Sequence, residues 1–438
     1  MSEKLDLYTS KLSKMIQAET VSSFSEPDLD KFKHFRSLLK DLFPLVFKTC
    51  EMEEFDGSLL LEWKGVSSDK PSLLMNHYDV VEATGEWSHS AFSGEVVDDK
   101  LYGRGTLDDK GPLFAMLQGI EEMIESGFTP KNDIYIETGR NEETDGRGAD
   151  AISRALEERG IRIDFVLDEG GEIMYDPLGG ADGTFAVVGL GEKCTVDLKF
   201  TARSAGGHAS TPGKNTPLVR LGKFMAEVDS KDLFKKSLSP VIKNMFKDMA
   251  PTVKGPLGFV FAHPTFFWSI LKTVMPKVSP SAKALLQTTI AFTMAKGSDG
   301  DNVLPQEAYV IANMRTSHHE GLEHSIAAVK KIADKYGLET EVVSDPFESP
   351  LSDVNSEQYK LLKNIIKESF PNVIPTTYIM NGASDSKYFS RVSNNVFRFA
   401  PFTIDEQQLS SIHGIDENVD IDTLEPAVNF YRNLIKEL

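Results

Sequence analysis

The first 190 residues alternate short apolar runs with helical patterns, and this alternation restricts the possible folds more than any other feature of the chain. Strands separated by helices build an α/β layer whose sheet is mainly parallel. The runs SLLMNH (Ser72 to His77), DIYIET (Asp133 to Thr138) and DFVLDE (Asp164 to Glu169) read as strands. Between the first two, a helix is predicted after Asp108 and Asp109. Pro112 sits in its first turn, Leu113, Met116, Leu117, Ile120, Met123 and Ile124 recur at three-and-four spacing, and Gly127 ends it.

Each predicted strand is followed by groups that can bind a metal or move a proton. His77 and Asp79 follow the first, Glu142 and Glu143 the second, and Asp168 and Glu169 close the third. The carboxyl ends of parallel strands gather along one edge, where ligands bind. With Asp108 and Asp109 at the helix start, that edge would hold seven acids and a histidine. Like charges at such density raise carboxyl pKa values unless cations are present, so a bound metal is the natural resolution. Taken singly, an Asp-Asp or Glu-Glu pair is an ordinary helix cap or solvated face. Their joint placement carries the expectation.

From about Glu192 the pattern changes. Val196, Leu198, Phe200 and Ala202 alternate with polar residues, as do Ala308, Val310, Ala312 and Met314, the signature of antiparallel strands with one wet face. A helix with Leu322, Ile326, Val329, Ala333 and Tyr336 on one face follows, then a short strand, LETEVV. The expected architecture is therefore a three-layer α/β domain in two segments, 1–190 and 346–438, with an inserted α+β domain over 191–345. Residues 231–300, rich in Lys, Pro and Phe, show no clean period and read as an elaborated insertion in the inserted domain. Two amphipathic helices, near Asn355 to Phe370 and Asp422 to Leu438, complete the two-segment domain.

Composition narrows the function. A length of 438 residues, 40% apolar and 26% charged, suits two or three globular domains. A net charge of −19 disfavours nucleic acid and anionic membrane surfaces as partners. Cys50 and Cys194 are too few for a disulfide framework or a thiolate metal site, which points to the cytoplasm. The N-terminal MSEKLDLYTSKLSK lacks the apolar segment of a signal peptide. The most apolar window, Gly258 to Met275, is interrupted by His263, Pro264 and Lys272 and reads as packing or interface, not a span. His319 and His324 are five apart where a zinc-binding helix needs four. The Gly103 to Gly105 GRG reads as a tight turn, and no nucleotide loop or serine elbow is present in the sequence.

The runs NHYDVV (Asn76 to Val81), YGRGTLDDKG (Tyr102 to Gly111), NEE (Asn141 to Glu143), VLDEGG (Val166 to Gly171) and SIHG (Ser411 to Gly414) resemble the M20 family of co-catalytic zinc peptidases. Within it the chain looks most like the carboxypeptidase S and N-acyl-amino-acid hydrolase branch. On this resemblance the two-segment domain, 1–190 and 346–438, would be catalytic and the inserted one, 191–345, a lid and dimerisation domain. The resemblance implies that His77, Asp108 and Asp168 hold one metal, and that Asp108 bridges to a second held by Glu143 and His413. It makes Glu142 the general base and Asp79 the group that orients His77. Alternation alone cannot order Glu142 and Glu143, since neighbours on an extended segment face opposite ways. Two divalent ions are implied, zinc first, with manganese or cobalt able to use the same donors.

In the lid, SAGGHASTP (Ser204 to Pro212) resembles a segment whose histidine, His208, stabilises the oxyanion and in dimeric relatives reaches the partner subunit's site. Asn302 and Arg315 match substrate-binding lid positions, and NGASDS (Asn381 to Ser386) resembles a substrate loop in which Gly382 is the matching glycine. Asn141 and the pair Ala383 and Ser384 depart from common family residues without removing a ligand. The implied activity is hydrolysis of an amide next to a free-carboxylate amino acid, as an exopeptidase, carboxypeptidase or dipeptidase. The alternatives are an N-acyl-amino-acid amidohydrolase whose acyl chain lies against the Phe-rich insertion, and a catalytically silent metal- or peptide-binding protein. The expected partners are a small peptide or N-acyl amino acid and, through the lid, a second copy of the chain.

Overall fold

Two sheets, each with its own apolar core, divide the chain in a computed structural model that describes residues 2–24, 29–177, 179–278 and 280–438. The larger sheet has a parallel centre. Asn132–Gly139 lies beside Ser67–His77, then Phe165–Asp168, then Val396–Arg398. Antiparallel strands flank this centre, Glu51–Phe55 and Ser58–Trp63 on one side and Thr184–Glu192 and Ile173–Tyr175 on the other. Val373–Met380 adds in parallel to Thr184–Glu192. The central strands read as unbroken apolar runs because both faces are covered: Leu73, Leu74, Ile134, Ile136, Val166 and Leu167 are all buried.

One face is covered by the helix Lys110–Glu125, itself packed under the C-terminal helix Leu424–Glu437. Gly119 permits that approach, since a Cβ there would stand 3.0 Å from Tyr431 Cβ. Gly127, at φ 77°, terminates the first helix, and Phe128 N–H donates back to the Met123 carbonyl at 3.1 Å. The other face carries the helix Arg147–Glu158 and the 3-10 segment Asp385–Arg391, which share a separate apolar cluster. The result is the expected three-layer α/β architecture.

The smaller sheet is antiparallel, in the order Thr289–Lys296, Glu307–Thr316, Cys194–Arg203, Glu339–Val342. Its two central strands pair Val196 with Met314, Leu198 with Ala312, Phe200 with Val310 and Ala202 with Ala308, so both alternations fall on one face. That face packs on the helices Pro217–Ser230 and Leu322–Lys335.

One expectation changes. The stretch placed inside the lid forms four short helices, Pro240–Met249, Pro256–Ala262, Trp268–Val278 and Pro280–Leu286. Val241, Ile242, Met245, Phe246 and Met249 belong to the core of the large sheet, not of the lid. Thr377 Oγ1 also donates to the Val241 carbonyl at 2.7 Å, tying the first of these helices to the strand Val373–Met380. The helices are too short, and too often restarted by proline, for their sequence to show a 3.6-residue period. Among the described residues no helix is long and apolar enough to cross a membrane.

Candidate active site

The parallel strands deliver their terminal residues to one edge. His77 ends Ser67–His77, Asp108 lies in the turn before Lys110–Glu125, Glu142 and Glu143 follow Asn132–Gly139, and Glu169 follows Phe165–Asp168. The His77 Nε2 lies 3.0 Å from Asp108 Oδ1 and 3.9 Å from Glu169 Oε1. His413 Nε2 lies 3.0 Å from Asp108 Oδ2 and 3.2 Å from Glu143 Oε2. Asp108 thus spans two histidines with its two oxygens. Donor atoms of His77, Asp108 and Glu143 fall within 4.8 Å of one another, and so do those of His77, Glu142 and Glu169.

The electrostatics favour a bound cation. Burial pushes the Glu142 and Glu169 carboxyls well above the usual range, and neighbouring carboxylates add to the effect on both. Burial also raises Glu143, with Asp108 as the next cause. Asp108 behaves differently: burial opposes its ionisation, but hydrogen bonds with His413 and His77 outweigh this and hold it below the usual range. Hydrogen bonds with Asp108 and Glu143 in turn raise His413 to about 10. Glu143 Oε1 is buried without a hydrogen-bond partner. A donor set of imidazole and carboxylate with an unpaired buried oxygen fits divalent ions such as zinc or manganese.

The residues behind the cluster fix its geometry. Asp79 accepts from Glu142 N at 3.2 Å and Glu143 N at 3.1 Å, and its Oδ1 lies 3.3 Å from His77 Nδ1. The Asp79 carbonyl also accepts from His77 Nδ1 at 3.0 Å, so this one residue sets both the imidazole and the backbone of the two glutamates. Asp109 accepts from Asn76 Nδ2 and His77 N at 2.8 and 2.9 Å. Glu417, which motif reading passed over, is fully buried and accepts from Gly105 N at 3.1 Å, Leu107 N at 2.9 Å and Asp108 N at 3.2 Å. The GRG turn is therefore a cradle for an internal carboxylate. Gly105 sits at φ 94°, where a Cβ would meet Val80 Cγ1 at 2.9 Å. Glu417 also pairs with Arg104 Nη1 at 2.7 Å, and Arg104 Nη2 donates to the Gly414 carbonyl at 2.6 Å. A single buried ion pair thus holds the turns that carry Asp108 and His413.

Asp168 belongs to neither of these donor groups among the described residues, and its Oδ2 accepts from Ser386 N at 3.0 Å. The lid residues do not reach the cluster. His208 is exposed, with Nδ1 2.7 Å from Ser210 Oγ, and the Asn302 carbonyl accepts from Ala209 N at 2.9 Å beside it. Arg315 donates to Thr195 Oγ1 at 2.6 Å. Thr195, Glu142, Lys193 and Lys387 line a polar cleft of about 640 Å³ between the domains. A second cavity, of about 490 Å³, starts at Gly170, Gly382 and Ile412 and runs between Met174, Met245, Met249 and Leu285. Its lining is apolar except for a few groups such as Glu172, whose carboxyl burial pushes up to about 8 and so keeps largely neutral at pH 7. Gly382 lines this cavity and not the polar cleft.

A lidded α/β domain with histidines and carboxylates at its strand ends is the architecture of a metal-dependent amide hydrolase. The chain belongs to peptidase family M20/M25/M40, whose family model matches residues 73–437. It is 30% identical to "Probable carboxypeptidase S-like 2" of Dictyostelium discoideum, over 97% of this chain and 84% of that protein. It is 29% identical to human "N-fatty-acyl-amino acid synthase/hydrolase PM20D1", over 96% of this chain and 86% of that one. The fold superposes on an M20 family metallo-carboxypeptidase from Sulfolobus solfataricus with a TM-score of 0.71 and 17% identity, covering 100% of this chain and 99% of the other. This last likeness is one of fold.

Proposed function

We propose that the chain hydrolyses the amide of N-acyl amino acids that carry a long apolar acyl group, releasing a fatty acid and a free amino acid. The observation that carries this reading is the apolar cavity beside the cluster, between Gly170, Gly382 and Ile412 at one end and Met245, Met249 and Leu285 further in. Its volume of about 490 Å³ lies within the range of small-molecule sites. Acyl carbons gain by leaving water at about 0.8 kcal/mol per buried CH₂. The polar cleft on the other side of Glu142 offers Lys387 and Lys193, with Arg315 behind Thr195, to a substrate carboxylate.

In this reading His77, Asp108 and Glu169 would hold one divalent ion, and Asp108, Glu143 and His413 would hold the other. Glu169 takes the place expected for Asp168, because its carboxylate faces His77 while that of Asp168 is engaged by Ser386. When bound, two such ions lower the pKa of water and polarise the scissile carbonyl. Glu142 accepts the proton of the attacking water and returns it to the leaving amine. Asp79 keeps His77 and the Glu142 backbone in place. His208, exposed in a single chain, completes the site from a second copy or through lid closure. Zinc, a cytoplasmic setting and homodimerisation belong to the same proposal.

Ser281 lines the cavity from the helix Pro280–Leu286 and is itself exposed, so Ser281→Trp would obstruct the cavity without opening the core. The expected result is at least a roughly tenfold higher KM for a long-chain N-acyl amino acid, with N-acetyl amino acid hydrolysis unchanged. An unchanged KM for the long chain would refute the acyl site. A second reading, exopeptidase action on short peptides, is favoured by the carboxypeptidase names among the relatives.

A further inference from the structure

The chain is acidic overall, yet residues 231–288 carry nine lysines against two aspartates, with no arginine and no glutamate. This local reversal of charge coincides with exposed apolar side chains. Phe266 is 83% exposed, Phe259 61%, Ile270 52% and Val274 49%. The helix Trp268–Val278 has two apolar faces. Leu271 and Met275 are buried in the core, while Ile270 and Val274 lie bare, with Lys277 continuing their stripe at helical spacing. Phe259, from the helix Pro256–Ala262, meets Phe267 at 5.8 Å between ring centroids, and Phe267 meets Phe266 at 4.9 Å, so the rings form one cluster. Lys272 and Lys277 make no ion pair among the described residues.

Aromatic and aliphatic side chains beside lysines are the pattern of a segment that lies in a lipid interface without spanning it. We propose that residues 256–278 dock on an anionic lipid surface, with Phe259, Phe266, Ile270 and Val274 entering the interface and the lysines facing the headgroups. Charge complementarity selects this occupant: residues 256–278 carry Lys272 and Lys277 and no acidic residue, so a second copy docked face to face would set lysine against lysine, whereas phosphatidylserine headgroups oppose them. The docking helices rest on Pro240–Met249 and Pro280–Leu286, which wall the apolar cavity, so the surface and the cavity share a scaffold. The proposal concerns lipid binding and stands whatever the substrate proves to be.

Flotation of the full chain with vesicles tests it. The protein is expected to float with phosphatidylserine mixed into phosphatidylcholine, to float less with phosphatidylcholine alone, and to be released by high salt. Phe259→Ser combined with Phe266→Ser and Ile270→Ser should reduce the bound fraction at least about tenfold. Lys272→Glu with Lys277→Glu should weaken binding by roughly fivefold or more per lysine. Circular dichroism and Tm, unchanged in both variants, separate lost binding from lost folding. Wild-type protein that stays soluble at every lipid concentration would overturn the proposal, as would variants that float like wild type. Self-association lost in the triple variant, with no vesicle binding, would assign the face to a second copy and overturn it equally.

Discussion

At the scale of single residues, the site depends on which carboxylates face the histidines and which face the backbone. Glu142 is the proposed base, partly buried at the cleft, where loss of water first and neighbouring acids second keep its proton affinity high. Glu142→Gln should lower kcat by about 10²- to 10⁴-fold while bound metal, measured by mass spectrometry of the purified protein, stays unchanged. Loss of metal together with activity would make it a ligand instead. Glu169→Ala should lower metal content, and Asp168→Asn should leave it near the wild-type value. The reverse order would restore Asp168 as the ligand. Alternation alone does not decide between these two carboxylates, because adjacent residues at a strand end project to opposite sides and which side faces the site depends on where the strand stops. Asp168 is the last strand residue, paired with Arg398, and Glu169 begins the turn. That His77, Asp108, Glu143 and His413 come together was legible, because each sits in a motif whose order along the chain the fold keeps, and their role as ligands is part of the proposal.

At the scale of elements, flanking strands such as Ser58–Trp63, Thr184–Glu192 and Val373–Met380 escape periodicity, while the strands and helices named from it lie within a few residues of their observed ends. The helix Lys110–Glu125 shows why: Pro112 near its start and Gly127 beyond its end mark real boundaries. The helices between 240 and 286 gave no such signal, and their attachment to the large sheet is a tertiary choice made by Val241, Met245 and Phe246. Glu417 was equally invisible, since a lone glutamate after SIHG carries no pattern. Yet it joins the Asp108 turn to the His413 turn through Arg104. Glu417→Gln leaves the Arg104 charge buried without its partner, and breaking a buried pair of this kind costs about 3–5 kcal/mol. A lower midpoint in urea unfolding, with weakened metal retention, is the expected result. An unaltered midpoint would show that the turns hold themselves.

At the scale of the whole molecule, the proposed catalytic groups occupy one domain while His208 stands exposed on the other. If the histidine acts across a dimer, His208→Ala and Glu142→Gln homodimers should each be nearly inactive, and mixing them should recover activity at about a quarter of the sites, because hybrids pair one intact base with one intact histidine. No recovery from a mixture proven to exchange subunits would favour closure within one chain. The central claim joins a metal-dependent amide hydrolase to an apolar acyl cavity. Its most direct test is kcat/KM of the metal-loaded protein across N-acyl amino acids of increasing acyl length, with dipeptides alongside. The account predicts a rise of about fourfold per CH₂ until the cavity is filled, with dipeptides far below. Dipeptides cleaved faster than every acyl substrate, with no dependence on chain length, would contradict it.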